Sequence, residues 1–169
     1  MVPVRVLGLV VDARMQPVVL LTPLVGDERP RTLVPIWVGA QEAASISIAV
    51  NGEEAPRPLS HDLMQRLLHA VGATLDRVDV TRIEEGTFYA ELSLTTSSGH
   101  LRIDCRPSDG IALACRVGAP LFVAEAVIAD AGVLEDDGTE AAEPEEEAEE
   151  KVAEFRRFLD EVDPEDFQG

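Results

Sequence analysis

The chain has 169 residues, 46% of them apolar, with 14 Arg and Lys against 32 Asp and Glu, a formal net charge of −18. That balance excludes a general nucleic-acid coat, whose binding is driven by net positive surface, and two cysteines are too few for a disulfide scaffold. No apolar run is as long as a membrane helix requires, and Met1-Val-Pro-Val-Arg-Val lacks the layout of a signal peptide, so a reduced, cytoplasmic protein is expected.

The charge is unevenly divided. Residues 1–133 hold 16 acids and 11 bases, whereas residues 134–169 hold 16 acids and 3 bases. The first part predicts a globular domain of ordinary charge. It opens with strands at 2–11, 18–22 and 32–38, rich in valine and leucine and separated by the polar turns 12–17 and 26–30. Gly39 breaks this meander, and Ala43, Ile46, Ala49 and Val50 then fall at helical spacing up to Asn51-Gly52. Ser60 is the expected N-cap of a second helix with the apolar stripe Leu63, Met64, Leu67, Leu68 and Val71, closed at Gly72. Strands follow at 74–83 and 87–94 about the turn Glu84-Glu85-Gly86, and at 100–105. A helix is expected at 108–117, a short strand at 120–123 and one or two helical turns at 124–130. The elements predict a single α+β domain whose core includes Leu33, Ile36, Ile46, Leu67, Phe88, Leu92, Ile103 and Ile111. Residues 134–150 read as an acidic linker with too little apolar surface to order itself. Within 151–169, Val152, Phe155, Phe158, Leu159 and Val162 share one helical face, which predicts an amphipathic helix that needs a docking surface.

Two helix openings carry the strongest chemical signal. Arg57-Pro58-Leu59-Ser60-His61-Asp62 and Arg106-Pro107-Ser108-Asp109 each place an arginine just ahead of a helix start, where free N–H groups and the dipole already favour an anion. A guanidinium there can grip phosphate through two bonds, and the closing Gly72-Ala73 and Gly118-Ala119 make the two helices look like equivalent parts. His61 supplies an imidazole, the commonest general acid or base, and Asp62 or Asp109 could orient it or hold a metal. Glu42 and Asp104 are further candidate ligands for a divalent cation such as Mg²⁺. A second reading gives the same residues only structural work: Ser60, Asp62, Ser108 and Asp109 cap helices, Arg57 pairs with Asp62, and Arg106 pairs with Asp109. Cys105 and Cys115 have no metal-ligand spacing and read as small buried hydrophobes.

The segments Pro35-Ile-Trp-Val-Gly-Ala-Gln-Glu42-Ala, Arg57-Pro-Leu-Ser-His61-Asp62-Leu, Gly86-Thr-Phe88-Tyr89-Ala and Asp104-Cys-Arg106-Pro-Ser108-Asp109-Gly-Ile-Ala-Leu-Ala together resemble the bifunctional nuclease domain family over roughly residues 1–130. The resemblance implies an α+β domain, commonly a homodimer, with nuclease activity on RNA and DNA as in plant members. It favours the enzyme reading of the two helix openings, in which Arg57, His61, Asp62, Arg106 and Asp109 are the candidate catalytic set. Two departures stand out: Gly110, where the family usually has Ala and where a looser helix start is expected, and the acidic tail. The runner-up is a non-catalytic homodimeric interaction or regulatory protein.

Overall fold

The computed structural model describes residues 1–24 and 31–135. The expected linker from 136 onward and the 152–162 helix lie outside the described residues. Residues Met1–Glu135 make one compact unit, an α+β domain.

Among the described residues the strands are β1 (Val2–Val11), β2 (Pro17–Pro23), β3 (Thr32–Trp37), β4 (Thr74–Glu84), β5 (Thr87–Thr96), β6 (Gly99–Cys105), β7 (Leu121–Val123) and β8 (Val133–Leu134). The helices are α1 (Ala40–Val50), α2 (Ser60–Ala70), α3 (Pro107–Val117) and α4 (Glu125–Ala131). The strands form an eight-stranded sheet in the order β6-β5-β4-β7-β1-β2-β3-β8. Two three-stranded antiparallel meanders, β1-β2-β3 and β4-β5-β6, are thus joined by β7. That strand lies antiparallel to β1 (Val4↔Leu121) and parallel to β4 (Val80↔Val123). The β4–β5 hairpin turns through Glu85 and Gly86, both at positive φ, as a tight turn between twisted strands demands.

Alternation along β4 and β5 sends Val78, Val80, Ala90 and Leu94 to one face, where α3 packs Ile111, Ala112, Leu113 and Ala114. Gly110 makes this approach close: a methyl built there would lie 2.7 Å from Val78 Cγ1. The expected effect of Gly110, a looser helix start, is therefore secondary to its role as a contact point on β4. The opposite face of β4 carries Asp79, buried and paired with Arg77 (2.9 Å), whose guanidinium lies over the Phe122 ring.

Of the expected core residues, Ile36, Ile46 and Ile111 are fully buried, and Leu33, Phe88 and Leu92 are half-buried. Two expectations are corrected. Leu67 is 55% exposed because α2 leans on α3 through its N-terminal end, leaving Leu63, Met64, Leu67 and Val71 facing outward. Ile103 is 44% exposed because β6 is the edge strand of the sheet. The short strand β8, which pairs with β3 (Leu33↔Val133), was not among the expected elements. Among the described residues, no helix is long and apolar enough to cross a membrane.

Candidate functional site

The site lies where three helices meet, with α3 packed against both α1 and α2. Helix α1 contributes Glu42 and Ser45, three residues apart and therefore on one face. Helix α2 contributes His61 and Asp62 from its first turn. Helix α3 contributes Arg106 at its N-cap, Asp109 in its first turn and Arg116 in its last. Pro107 occupies the first helical position of α3, where its missing N–H costs nothing and its fixed φ starts the helix, so Arg106 is set at the mouth.

These side chains form one continuous hydrogen-bonded line. Arg106 spans Asp109 with two bonds, Nε to Oδ2 (2.8 Å) and Nη2 to Oδ1 (2.9 Å), and its Nη2 also reaches Glu42 Oε1 (2.8 Å). His61 Nε2 lies 3.1 Å from Asp109 Oδ1, and its Nδ1 lies 2.9 Å from Ser45 Oγ. Behind Ser45, Arg116 donates from Nη2 to Ser45 Oγ (2.9 Å), from Nε to Asp62 Oδ1 (2.6 Å) and from Nη1 to the Ala112 carbonyl (2.8 Å). Exposure falls along the line, from 66% for the Arg106 side chain to 6% for those of His61 and Arg116.

Electrostatics follow the geometry. Burial pushes the Asp109 carboxyl up, but the hydrogen bonds from Arg106 and His61 and the charge of Arg106 outweigh it and hold the group below the usual carboxylate value. Asp62 is lowered by the Arg116 hydrogen bond and then by the Leu59 N–H (2.7 Å). Glu42 is lowered by its own backbone N–H and by Arg106. Arg106 is raised by Asp109 first and Glu42 second, so it stays charged. Burial, with the charges of Asp109 and Asp104, pushes the Cys105 thiol up to about 12, which disfavours the thiolate that a nucleophile needs.

The structure thus brings together His61, Asp62, Arg106, Asp109 and Glu42, and it adds Ser45 and Arg116. It does not bring in Arg57, which is exposed between α1 and α2 and forms no hydrogen bond or ion pair with the described residues. The expected Arg57–Asp62 pair is corrected to Arg116–Asp62, because α3 delivers Arg116 to the first turn of α2. The expected Ser60 cap is also corrected. Leu59 holds the N-cap position, and Asp62 reaches back to its N–H, the acidic half of a capping box. Of the metal candidates, Glu42 is tied to Arg106, and Asp104 stands exposed on β6 opposite Glu91. Among the described residues, no group of three His, Cys, Asp or Glu side chains converges to hold a metal ion, because guanidinium groups stand between the carboxylates.

A cleft of about 480 Å³ opens over this line, with Glu42, Ser45, His61, Arg106 and Asp109 in its wall and Met64 and Ile48 as apolar neighbours. A second cleft of about 340 Å³ lies behind it, bordered by Asp62, Arg66 and Arg116. An ionised carboxylate on a buried imidazole, beside a partly exposed guanidinium, can move a proton next to a bound anion.

Comparison with known proteins agrees with the motifs. The family model described as the bifunctional nuclease domain matches residues 23–136. Two Mycobacterium tuberculosis proteins, from strains H37Rv and CDC 1551 / Oshkosh and both described as uncharacterized, are 42% identical over 167 residues, covering 98% of each chain. A rice protein (Oryza sativa subsp. japonica) described as bifunctional nuclease 2 is 27% identical over 115 residues, 66% of this chain and 34% of the rice protein.

Proposed function

Since the chain belongs to the bifunctional nuclease domain family, we propose that it hydrolyses phosphodiester bonds of RNA or DNA in the cytoplasm, at the cleft between α1, α2 and α3. One observation carries this reading: a buried imidazole held by an ionised carboxylate on a cleft wall that also presents an arginine. Arg106 Nη1 takes part in none of the bonds to Asp109 and Glu42 and is free to meet a phosphate oxygen from the cleft. His61 moves the proton that cleavage requires, Asp109 orients the ring, and Asp62 acts at a distance by fixing Arg116. Arg57 lines neither cleft, so this reading gives it no part at the reacting atoms.

The test is cleavage of labelled RNA and DNA by the purified full chain, with Mg²⁺, with Mn²⁺ and with EDTA. We expect cleavage that falls by about a hundredfold or more in His61→Ala, the usual scale for a lost proton-transfer group. Equal cleavage by wild type and His61→Ala would assign the activity to a contaminant and end the proposal.

A non-catalytic homodimeric interaction protein is the second reading. It is favoured by the outward-facing stripe of Leu63, Met64 and Leu67 on α2 with Val71 just beyond its end, a large apolar surface for a monomer to leave open. That reading expects a dimer in light scattering and no cleavage of either nucleic acid.

A further inference from the structure

We propose that Ser45, His61 and Asp109 form a nucleophilic relay, with Ser45 Oγ as the atom that attacks phosphorus. The proposal rests on the nuclease reading and names the group that makes the bond.

The hydrogen-bond donors around the ring fix which group gives its proton to which. A guanidinium has only donors, so Arg116 Nη2, 2.9 Å from Ser45 Oγ, fills one acceptor site of that hydroxyl. Arg106 grips both oxygens of Asp109, which is therefore an ionised acceptor, and the nitrogen facing it at 3.1 Å, His61 Nε2, must carry a hydrogen. In the neutral ring this leaves Nδ1 as the acceptor, and the group opposite it, at 2.9 Å, is the Ser45 hydroxyl. The proton that His61 is set to accept is accordingly that of Ser45.

This is the logic of a serine–histidine–carboxylate triad with the two ring nitrogens exchanged: the hydroxyl meets Nδ1 and the carboxylate meets Nε2. The positive charge of Arg116 beside Oγ favours the oxyanion that forms there. Ser45 is only 4% exposed, but it lines the cleft with His61, Asp109 and Arg106, so attack is confined to a phosphorus entering from that side.

The step balances. Ser45 Oγ bonds to phosphorus as the bond from phosphorus to the leaving sugar oxygen breaks. The hydroxyl proton passes to His61 and from the imidazolium to that leaving oxygen. A water then attacks the phosphoserine and gives its proton to His61. Ser45 Oγ leaves and takes the proton back.

The test uses the full chain and diisopropyl fluorophosphate. With this probe an Oγ–P bond forms, the P–F bond breaks, the proton goes to His61 and fluoride departs. Intact mass and peptide mapping are expected to show one adduct, on Ser45, with labelling slowed about tenfold or more in His61→Asn and absent in Ser45→Ala. An unlabelled Ser45 in the wild type overturns the relay, and so does nucleic-acid cleavage by Ser45→Ala at the wild-type rate. Ser45 labelling with no cleavage of RNA or DNA keeps the relay and removes the nuclease reading. Cleavage that is lost in His61→Ala but kept in Ser45→Ala does the reverse. Labelling of the unaltered chain does not depend on how well any variant folds.

Discussion

Arg116 has its side chain 6% exposed and divides its hydrogen bonds among three helices: Asp62 of α2, Ser45 of α1 and the Ala112 carbonyl of its own α3. Taking Asp62 away leaves that charge buried without its counter-ion. Asp62→Ala should therefore cost about 2–3 kcal/mol in urea unfolding, below the range for a fully enclosed pair because Asp62 keeps some solvent contact. The same pair sets a pH dependence. Asp62 is lowered in the folded chain, so its contribution is complete above the ordinary carboxylate value and is lost as the pH falls through the lowered one. Asp62→Asn should flatten that acid limb in melts taken at stepped pH. Glu42 and Asp109, lowered in the same direction, supply what slope remains. Ser45 and Arg116 gave no sign in the sequence. The signal at His61, Asp62, Arg106 and Asp109 is local, a helix opening with its proline and acid. The bonds from Arg116 to Asp62 and to Ser45 cross 54 and 71 residues, and nothing in a helix's own periodicity announces them.

Among the elements, α3 is the one that assembles the site, and Gly110 decides how close it comes to β4. An alanine there would gain roughly 1 kcal/mol of helix propensity. Its methyl would also press on Val78 Cγ1 at 2.7 Å and meet Cys105 Sγ at 3.4 Å. Val78 is fully buried, and a β-branched side chain so enclosed has little room to turn. Overpacking of this kind costs about 1–3 kcal/mol, so Gly110→Ala should be net destabilising by about 1 kcal/mol. The double variant Gly110→Ala with Val78→Ala should show a favourable coupling between the two sites in a double-mutant cycle. Additive costs would mean that the contact does not limit packing. Elements whose residues alternate or repeat between plain turns were legible in the sequence: of the described elements, seven of the eight strands and all four helices lie close to their expected places. Strand β8, two residues long, has no period to read. The stripe on α2 was legible as a helix but misleading as core, since periodicity shows which residues share a face and not whether that face is covered.

For the whole molecule the governing quantity is charge. Residues 1–135 carry 17 acids and 11 bases, and residues 136–169 carry 15 acids and 3 bases, so the second segment holds −12 of the net −18. A polyanionic substrate approaching any arginine of the domain meets the field of the whole chain, which repels it. Cutting after Glu135 keeps β8 and the backbone bond from Glu135 N–H to the Arg31 carbonyl (2.7 Å), so the chain loses charge while every described strand of the domain is kept. The shortened chain should bind single-stranded RNA and DNA more tightly at low ionic strength. The gain should shrink as salt is raised towards about 0.1 M and beyond, where the screening length falls to about 10 Å. Fluorescence anisotropy across a salt series measures this directly. A gain that persists undiminished at high salt would point to a steric obstruction in place of charge, and equal affinity at low salt would show that residues 136–169 do not act on nucleic-acid binding at all.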